Sequence, residues 1–202
     1  MTPLADRLRR ALHPLDAPPR LVGWNLAELH DLIDADALVP AAVLVGLVPR
    51  AQGTLVLLTR RIDALRSHGG QVSFPGGRID PGDRDAVHAA LRETREEVGI
   101  PASLVQPIGY LDPLVTITGF RVLPVVATID PGYVPQPDPR EVADVFEVDL
   151  DYLLDPVNRV ARPIVHGGRE RAVWEYGYAP QRIWGATASM LVNLAERLEH
   201  AP

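Results

Sequence analysis

Apolar side chains recur along the chain at two spacings, which predict strands in some places and helices in others. The longest apolar run, residues 38–48, contains a proline and is too short to cross a bilayer, so it predicts a buried strand. Between Asp85 and Val98 the apolar or small residues recur every three or four positions, which predicts a helix that Gly99 ends. The predicted strands cover residues 41–48, 54–59, 72–74, 105–111, 120–129, 145–148 and 171–176. The predicted helices cover residues 4–12, 25–33, 85–98 and 186–198, with a short further helix after residue 148.

This order of elements predicts one layered domain. Strands and helices alternate with both short hairpins and longer crossovers, which is typical of an α/β or α+β fold with a mixed sheet. Residues 130–140 contain four prolines and are expected to form a loop. The chain shows no internal repeat and no linker. We therefore expect an N-terminal helical segment over residues 1–36 that packs on a domain formed by residues 37–202.

Composition narrows the class of protein. The 202 residues are 47% hydrophobic and 23% charged, as expected of a soluble domain with a sizeable core. The 26 acidic residues outnumber the 20 basic ones, giving a net charge of -6, and this balance disfavours binding to nucleic acid. All basic residues are arginines, and the lack of cysteine excludes disulfides, thiolate metal sites and a cysteine nucleophile. The N-terminal residues resemble neither a signal peptide nor a membrane span, so we expect a cytoplasmic protein without a membrane partner.

The predicted helix at residues 85–98 carries three glutamates that point to its chemistry. Glu93, Glu96 and Glu97 are three or four positions apart, so they are expected to project together, opposite the apolar stripe. One interpretation is a solvated acidic face screened by Arg92 and Arg95. The other is a site for Mg²⁺ or Mn²⁺, since these hard cations prefer carboxylate oxygens and offset the repulsion between them.

Residues 77–100 resemble the Nudix box, the signature of hydrolases that cut nucleoside diphosphates linked to another group. The box reads G-x5-E-x7-R-E-U-x-E-E-x-G-U, where U is a bulky apolar residue. Its named positions are filled by Gly77, Asp83, Arg92, Glu93, Glu96, Glu97, Gly99 and Ile100. Asp83 departs from the usual glutamate and is followed by one extra residue, and Thr94 replaces an aliphatic residue. The resemblance implies an α/β/α sandwich with a central mixed β-sheet.

Residues 57–77 are similar to the element that marks the coenzyme A pyrophosphatase branch of the family. That element runs L-L-T-x-R, a spacer and then G-x-V-x-F-P-G-G into the box, and the branch shares the aspartate and the extra residue. The resemblance covers roughly residues 41–198. It implies hydrolysis of the diphosphate bond of coenzyme A or its thioesters, giving adenosine 3',5'-bisphosphate and (acyl-)4'-phosphopantetheine.

The charges around the box fit a phosphorylated small molecule. Residues 60–78 contain four arginines and one acid, whereas residues 80–97 contain six acids and three arginines. A cationic segment that leads into an anionic one suits a substrate whose diphosphate meets metal ions while other phosphates meet arginine. Gly76 and Gly77 would let the backbone approach closely. Phosphate contacts are expected from at least one of Arg61, Arg66 and Arg78, and His68 is either a loop residue or a further substrate contact.

The resemblance also implies roles for the box residues. Glu93 and Glu97 are expected to hold Mg²⁺ or Mn²⁺, and Glu96 to be a further ligand or the general base. Arg92 is expected to orient these glutamates. Asp83 and Glu141 are candidates for an additional carboxylate, although either could be an ordinary surface acid.

Alternatives remain at this stage. The enzyme could act on another nucleoside diphosphate derivative, such as ADP-ribose, a dinucleotide or a damaged nucleotide, or the chain could be a non-catalytic nucleotide sensor. A homodimer is also compatible with the sequence.

Overall fold

A mixed sheet of eight strands forms the centre of the structure. The computed structural model describes residues 3–29, 31–64 and 69–201. The sheet consists of β1 (Val39–Arg50), β2 (Gly53–Arg61), β3 (Val72–Ser73), β4 (Gly76–Arg78), β5 (Val105–Tyr110), β6 (Leu114–Val115), β7 (Phe120–Ile129) and β8 (Val142–Asp149). Its order is β3-β2-β1-β7-β5, with β4 beside β1, β6 beside β7 and β8 beside β2. β1 and β7 are parallel and the other described pairs are antiparallel, which confirms the predicted mixed sheet.

Helices cover both faces of this sheet. α3 (Ala86–Val98) packs on one face, while α1 (Pro3–Ala11), α4 (Leu150–Leu154) and α5 (Gly185–His200) pack on the other; α2 (Leu26–Leu29) is a short turn before β1. Alternation along β1 explains the two cores, because Leu44 faces α3 and Val45 faces the opposite layer. Both side chains are fully buried, and each such burial contributes about 1.5–3 kcal/mol. The result is the α/β/α sandwich that the sequence predicts.

α3 begins and ends where the sequence predicts. Asp85 caps it by accepting a hydrogen bond from the His88 N–H at 2.7 Å, and Gly99 ends it in the left-handed conformation with φ of 76°. Thr94 is fully buried, yet its hydroxyl donates to the Ala90 carbonyl at 2.7 Å. That local hydrogen bond explains how a polar residue occupies a position where an aliphatic one is usual.

A second sheet of three strands lies outside the central one. It is formed by β9 (Arg159–His166), β10 (Arg169–Tyr176) and β11 (Ile183–Trp184), in the order β11-β10-β9. The sequence predicted β10 but not β9. Most of β9 is exposed, so its sequence lacks the apolar alternation that marks a half-buried strand. The predicted helix at residues 25–33 is also shorter than expected.

Asp112, in the turn between β5 and β6, joins segments that are far apart in sequence. Its carboxylate accepts hydrogen bonds from His13 Nε2 at 2.8 Å, Asn193 Nδ2 at 2.9 Å and Arg197 Nη1 at 2.9 Å. Arg197 also donates from Nε to the Ala11 carbonyl at 2.7 Å. Burial of Asp112 opposes ionisation, but these three donors together lower its pKa. We call these residues the Asp112 cluster; they tie α1 to α5.

None of the helices described in residues 3–29, 31–64 and 69–201 is both long and apolar enough to span a membrane.

Candidate active site

Two glycines of β4 bring the sheet into contact with α3. A Cβ atom on Gly77 would lie 2.5 Å from Glu93 Oε1, and one on Gly76 would lie 2.4 Å from the Ala42 carbonyl oxygen. Only glycine therefore fits at position 76, where the clash is with main-chain atoms, whereas a side chain at position 77 would displace the Glu93 carboxylate. The sequence predicts a close approach to Gly76 and Gly77. In the structure, Glu93 of α3 lies close to Gly77, and β1 lies close to Gly76. β4 itself was predicted as a turn.

Glu97 is buried between α3 and β4. It is 4% exposed, and its Oε2 accepts a hydrogen bond from the Gly76 N–H at 3.1 Å. Burial raises its pKa to about 7, although the Gly76 N–H and the Arg61 guanidinium act in the opposite direction. The expectation that all three glutamates project opposite the packed side is thus wrong for Glu97. The helical spacing places Glu97 next to the buried residues of the helix, where its carboxylate meets the Gly76 N–H.

Glu93 and Glu96 extend from Glu97 towards solvent. The Glu93 side chain is 17% exposed and its pKa is raised, mainly by burial. The Glu96 side chain is 60% exposed. Arg92 Nη1 donates to both, at 2.8 Å to Glu93 Oε1 and 3.2 Å to Glu96 Oε2. The three glutamates therefore form a gradient from buried to exposed along one edge of α3.

Arg92 is itself held by Asp83. Its Nε and Nη2 atoms donate to the two Asp83 oxygens at 3.1 and 2.9 Å. The same oxygens accept from His88 Nδ1 at 2.8 Å and the Asp80 N–H at 2.9 Å. The Arg92 guanidinium, followed by these other donors, holds the pKa of Asp83 well below its usual range. A carboxylate has about four acceptor positions, and four donors occupy them. Asp83 thus positions Arg92 through its filled acceptor positions, and its role as an additional carboxylate at a metal site stays a prediction.

Arg61 connects Glu97 with Glu141. Its Nη1 lies 3.4 Å from Glu97 Oε1 and its Nη2 lies 3.9 Å from Glu141 Oε2. Arg61 is the last residue of β2, and the pairing of β2 with β8 shifts register between Arg60 and Arg61. Arg60 pairs with Asp144 and Arg61 with Val142, so the extra residue of this bulge lies in β8, next to Glu141. Glu141 therefore joins the glutamates of the box, from a position 44 residues beyond Glu97 in the sequence.

The loop of residues 130–141, here called the strap, sets the position of Glu141. It crosses the C-terminal end of α3, where the N–H groups of Gln136 and Asp138 donate to the carbonyls of Val98 and Glu97 at 2.7 and 3.0 Å. These carbonyls have no partner within the helix. Sequence reasoning predicted a loop here but missed this docking, because main-chain contacts leave no residue pattern.

Of three other residues that were predicted to contact substrate, one lies on the other face of the sheet and two lie outside the described residues. Arg78 stacks on the Phe120 ring, with the guanidinium carbon 5.4 Å from the ring centroid, and its partner on β1 is Ala41, which faces the α5 layer. Its side chain therefore points to the opposite face of the sheet from α3, and only its carbonyl contacts the site, by accepting from Arg92. Arg66 and His68 lie outside the described residues.

The arrangement has more carboxylates than cationic groups. Within residues 3–29, 31–64 and 69–201, no three acidic or histidine side chains stand close enough to form a ready-made metal site. The carboxylates are instead spaced by the two guanidinium groups of Arg61 and Arg92. Six carboxylates share these two groups: Asp80, Asp83, Glu93, Glu96, Glu97 and Glu141.

Comparisons with known proteins identify the family of this chain. Residues 38–167 match the model of the NUDIX domain family. The uncharacterized Nudix hydrolase NudL of Photorhabdus laumondii is 38% identical over 199 residues, which cover 98% of this chain and all of that protein. The NudL of Yersinia enterocolitica is 43% identical over 158 residues, covering 78% of this chain and 80% of the relative. Among solved structures, the Nudix hydrolase RenU of M. smegmatis is similar at 25% identity, with a TM-score of 0.49 over 56% of this chain and 72% of that one. The chain therefore belongs to the Nudix family of hydrolases, which act on nucleoside diphosphate derivatives.

Proposed function

We propose that this Nudix hydrolase cuts the diphosphate bond of coenzyme A or its thioesters, giving adenosine 3',5'-bisphosphate and 4'-phosphopantetheine or its acyl form. The observation that carries the proposal is the contact between Arg61 and Glu97. It joins the element at residues 57–77, which resembles that of coenzyme A pyrophosphatases, to the acidic helix of the box. A phosphate-binding cation and the glutamates thus belong to one site.

The donor set fits Mg²⁺ or Mn²⁺. Glu93 and Glu97 are one helical turn apart, burial raises the pKa of both, and the Glu93 charge further raises the pKa of Glu97. Oxygen ligands of this kind are the ones that these cations prefer. Glu93 and Glu97 would hold the ions, with Glu141 as an additional ligand from the strap. When bound, a divalent ion would lower the pKa of water and neutralise charge on the diphosphate oxygens.

The remaining residues position the reacting groups. Arg92, fixed by Asp83, holds the carboxylates of Glu93 and Glu96 in place. Glu96 is the most exposed of the box glutamates, so it is available to accept the proton of the attacking water. Water then forms the new bond to phosphorus, and the other phosphate leaves as the bridging bond breaks. Arg61 contacts a substrate phosphate, with Arg66 and His68 as further candidates from the same segment.

The test is hydrolysis of coenzyme A by the purified protein with Mg²⁺ or Mn²⁺. Adenosine 3',5'-bisphosphate should form, and Glu97→Gln should reduce kcat by about 10²–10³-fold, an effect comparable to that of losing one electrostatic group at a reacting centre. Glu199→Gln, an exposed and distant change on α5, serves as the matched control and should leave the rate unchanged.

An unchanged rate in Glu97→Gln would refute the metal assignment. Parallel assays with ADP-ribose, a dinucleotide and an oxidised nucleoside triphosphate test the other substrates of the family. Faster turnover of one of these would overturn coenzyme A as the substrate, and nucleotide binding without any turnover would indicate a sensor.

A further inference from the structure

Arg61 is held only loosely between its two acidic partners. Its contacts of 3.4 Å with Glu97 and 3.9 Å with Glu141 exceed the roughly 2.7–2.9 Å of a charge-assisted hydrogen bond. Arg92 makes closer contacts, with four at 3.1 Å or less. The two guanidinium groups of the site therefore differ, since one is fixed in a network and the other is poised between two carboxylates.

The atoms that Arg61 contacts are the ones that a cation would need. Glu97 Oε2 is engaged by the Gly76 N–H, and its other oxygen, Oε1, is the one that Arg61 approaches. Glu141 Oε2 is its other neighbour, and half of the Glu141 side chain is exposed. A divalent ion and the Arg61 guanidinium would repel each other strongly at such a short distance, so they would compete for the same pair of oxygens.

We propose that Arg61 is an exchangeable counter-ion. A divalent cation that binds Glu97 and Glu141 displaces the guanidinium, which thereby becomes free to bind a phosphate of the substrate. This inference rests on the proposed function, because it assigns Arg61 to the cation site in one state and to the nucleotide in the next. It also implies an order of binding, in which the cation precedes the nucleotide.

The geometry of β2 supports such a movement. Arg61 is the final residue of the strand, at the register shift, and a quarter of its side chain is already exposed. Its neighbour Arg60 makes a different contact, 3.2 Å to Asp63 within the same segment. Because successive side chains of a strand point to opposite faces, the Arg60 guanidinium has the same charge as that of Arg61 but lies on the other face. It therefore provides a matched control.

The experiment measures Mn²⁺ binding without nucleotide, by calorimetry, together with the steady-state kinetics of coenzyme A hydrolysis. In Arg61→Gln, Mn²⁺ should bind about fivefold more tightly, as expected from losing a competing ion pair of this exposure. The KM for coenzyme A should rise about tenfold in the same variant, because a charged hydrogen bond to phosphate is lost. Arg60→Gln should change the Mn²⁺ affinity by less than about twofold, since it leaves the Glu97 and Glu141 contacts intact.

Exchange predicts that Arg61→Gln binds Mn²⁺ more tightly and coenzyme A more weakly. If Arg61→Gln weakens Mn²⁺ binding, Arg61 holds the carboxylates in place and the proposal is overturned. An equal tightening in Arg60→Gln would overturn it too, because a general loss of positive charge would then explain the result.

A second variant, Arg61→Lys, serves if Arg61→Gln does not fold. It should bind Mn²⁺ about twofold more tightly than the native protein, because an ammonium lacks the fork that reaches two carboxylates. Weaker binding would overturn the proposal. Failure of the native protein to bind Mn²⁺ or to hydrolyse coenzyme A would instead refute the proposed function.

Discussion

Two carboxylate groups of the molecule differ in the number of donors that they meet. Asp112 accepts from an imidazole that follows α1 and from an amide and a guanidinium of α5. Glu97 is the more deeply buried, yet its partners are one backbone N–H and the distant Arg61 guanidinium. A carboxylate with enough donors stabilises the fold, whereas a buried carboxylate with few donors is a candidate to bind a ligand that supplies positive charge.

The pKa values of the two groups move in opposite directions for this reason. Burial opposes ionisation at both positions. At Asp112 the three donors outweigh burial and lower the pKa, whereas at Glu97 burial outweighs its two partners and raises the pKa to about 7. The first charge stabilises the folded chain and the second destabilises it. Three changes test this contrast.

Asp112→Asn should have the largest effect on stability. The substitution keeps the shape of the side chain but leaves Arg197 without its charged partner, so we expect the free energy of unfolding to fall by about 2–3 kcal/mol. Urea denaturation at neutral pH measures this loss. Asp16→Asn, an exposed change close in sequence to the Asp112 partner His13, is the control and should have little effect. A loss as small as that of the control would show that the Asp112 cluster does not stabilise the fold.

Glu97→Gln should have the opposite sign in metal-free protein. At pH 8 the native glutamate is ionised despite its burial, so a neutral isostere should stabilise the chelator-treated protein by about 1 kcal/mol once the lost Arg61 contact is discounted. Denaturation in the presence of a chelator measures it. A substantial loss of stability would mean that the Glu97 charge is satisfied in the fold, and the contrast with Asp112 would disappear.

The smallest effect is the pH dependence of these differences. The folded pKa of Asp112 lies below its ordinary 3.8, so its contribution is present above that value and is lost as the pH falls below it. The folded pKa of Glu97 lies above its ordinary 4.5, so the folded state holds the proton longer and stability falls as the pH rises from 4.5 to 7. Accordingly, the advantage of native protein over Asp112→Asn should shrink in acid. The gain in free energy of unfolding from Glu97→Gln should grow from pH 4.5 to 7 and then stay constant. Unfolding curves across this range measure it, and a gain that does not change with pH would contradict the prediction.

Local chemistry explains which parts of the fold could be predicted. α3 was predicted to within one residue because Asp85 and Gly99 act through contacts with their own helix. β4 was missed because a Gly-Gly pair has no side chains to form a pattern, and β9 because both of its faces are largely exposed. These two strands form because they pair with neighbouring strands, and the sequence of a single segment does not show that pairing.

The site divides in the same way. The glutamates of the box could be recognised from their spacing, but the burial of Glu97 and its backbone partner, the Gly76 N–H, appear only in the folded structure. The four donors that Asp83 meets could not be predicted, because they become visible only in three dimensions. The Asp112 cluster left no signal at all, since its members lie between residues 13 and 197.

The strap places Glu141 by means of main-chain hydrogen bonds to α3, and this has a consequence for how the protein can evolve. Because the N–H groups of Gln136 and Asp138 make these bonds, many side chains at those positions would keep the loop in place. Val134, 71% exposed, is similarly unconstrained by packing. The strap can therefore diversify next to a fixed set of carboxylates, which makes it the natural segment to randomise in a library that seeks new leaving groups.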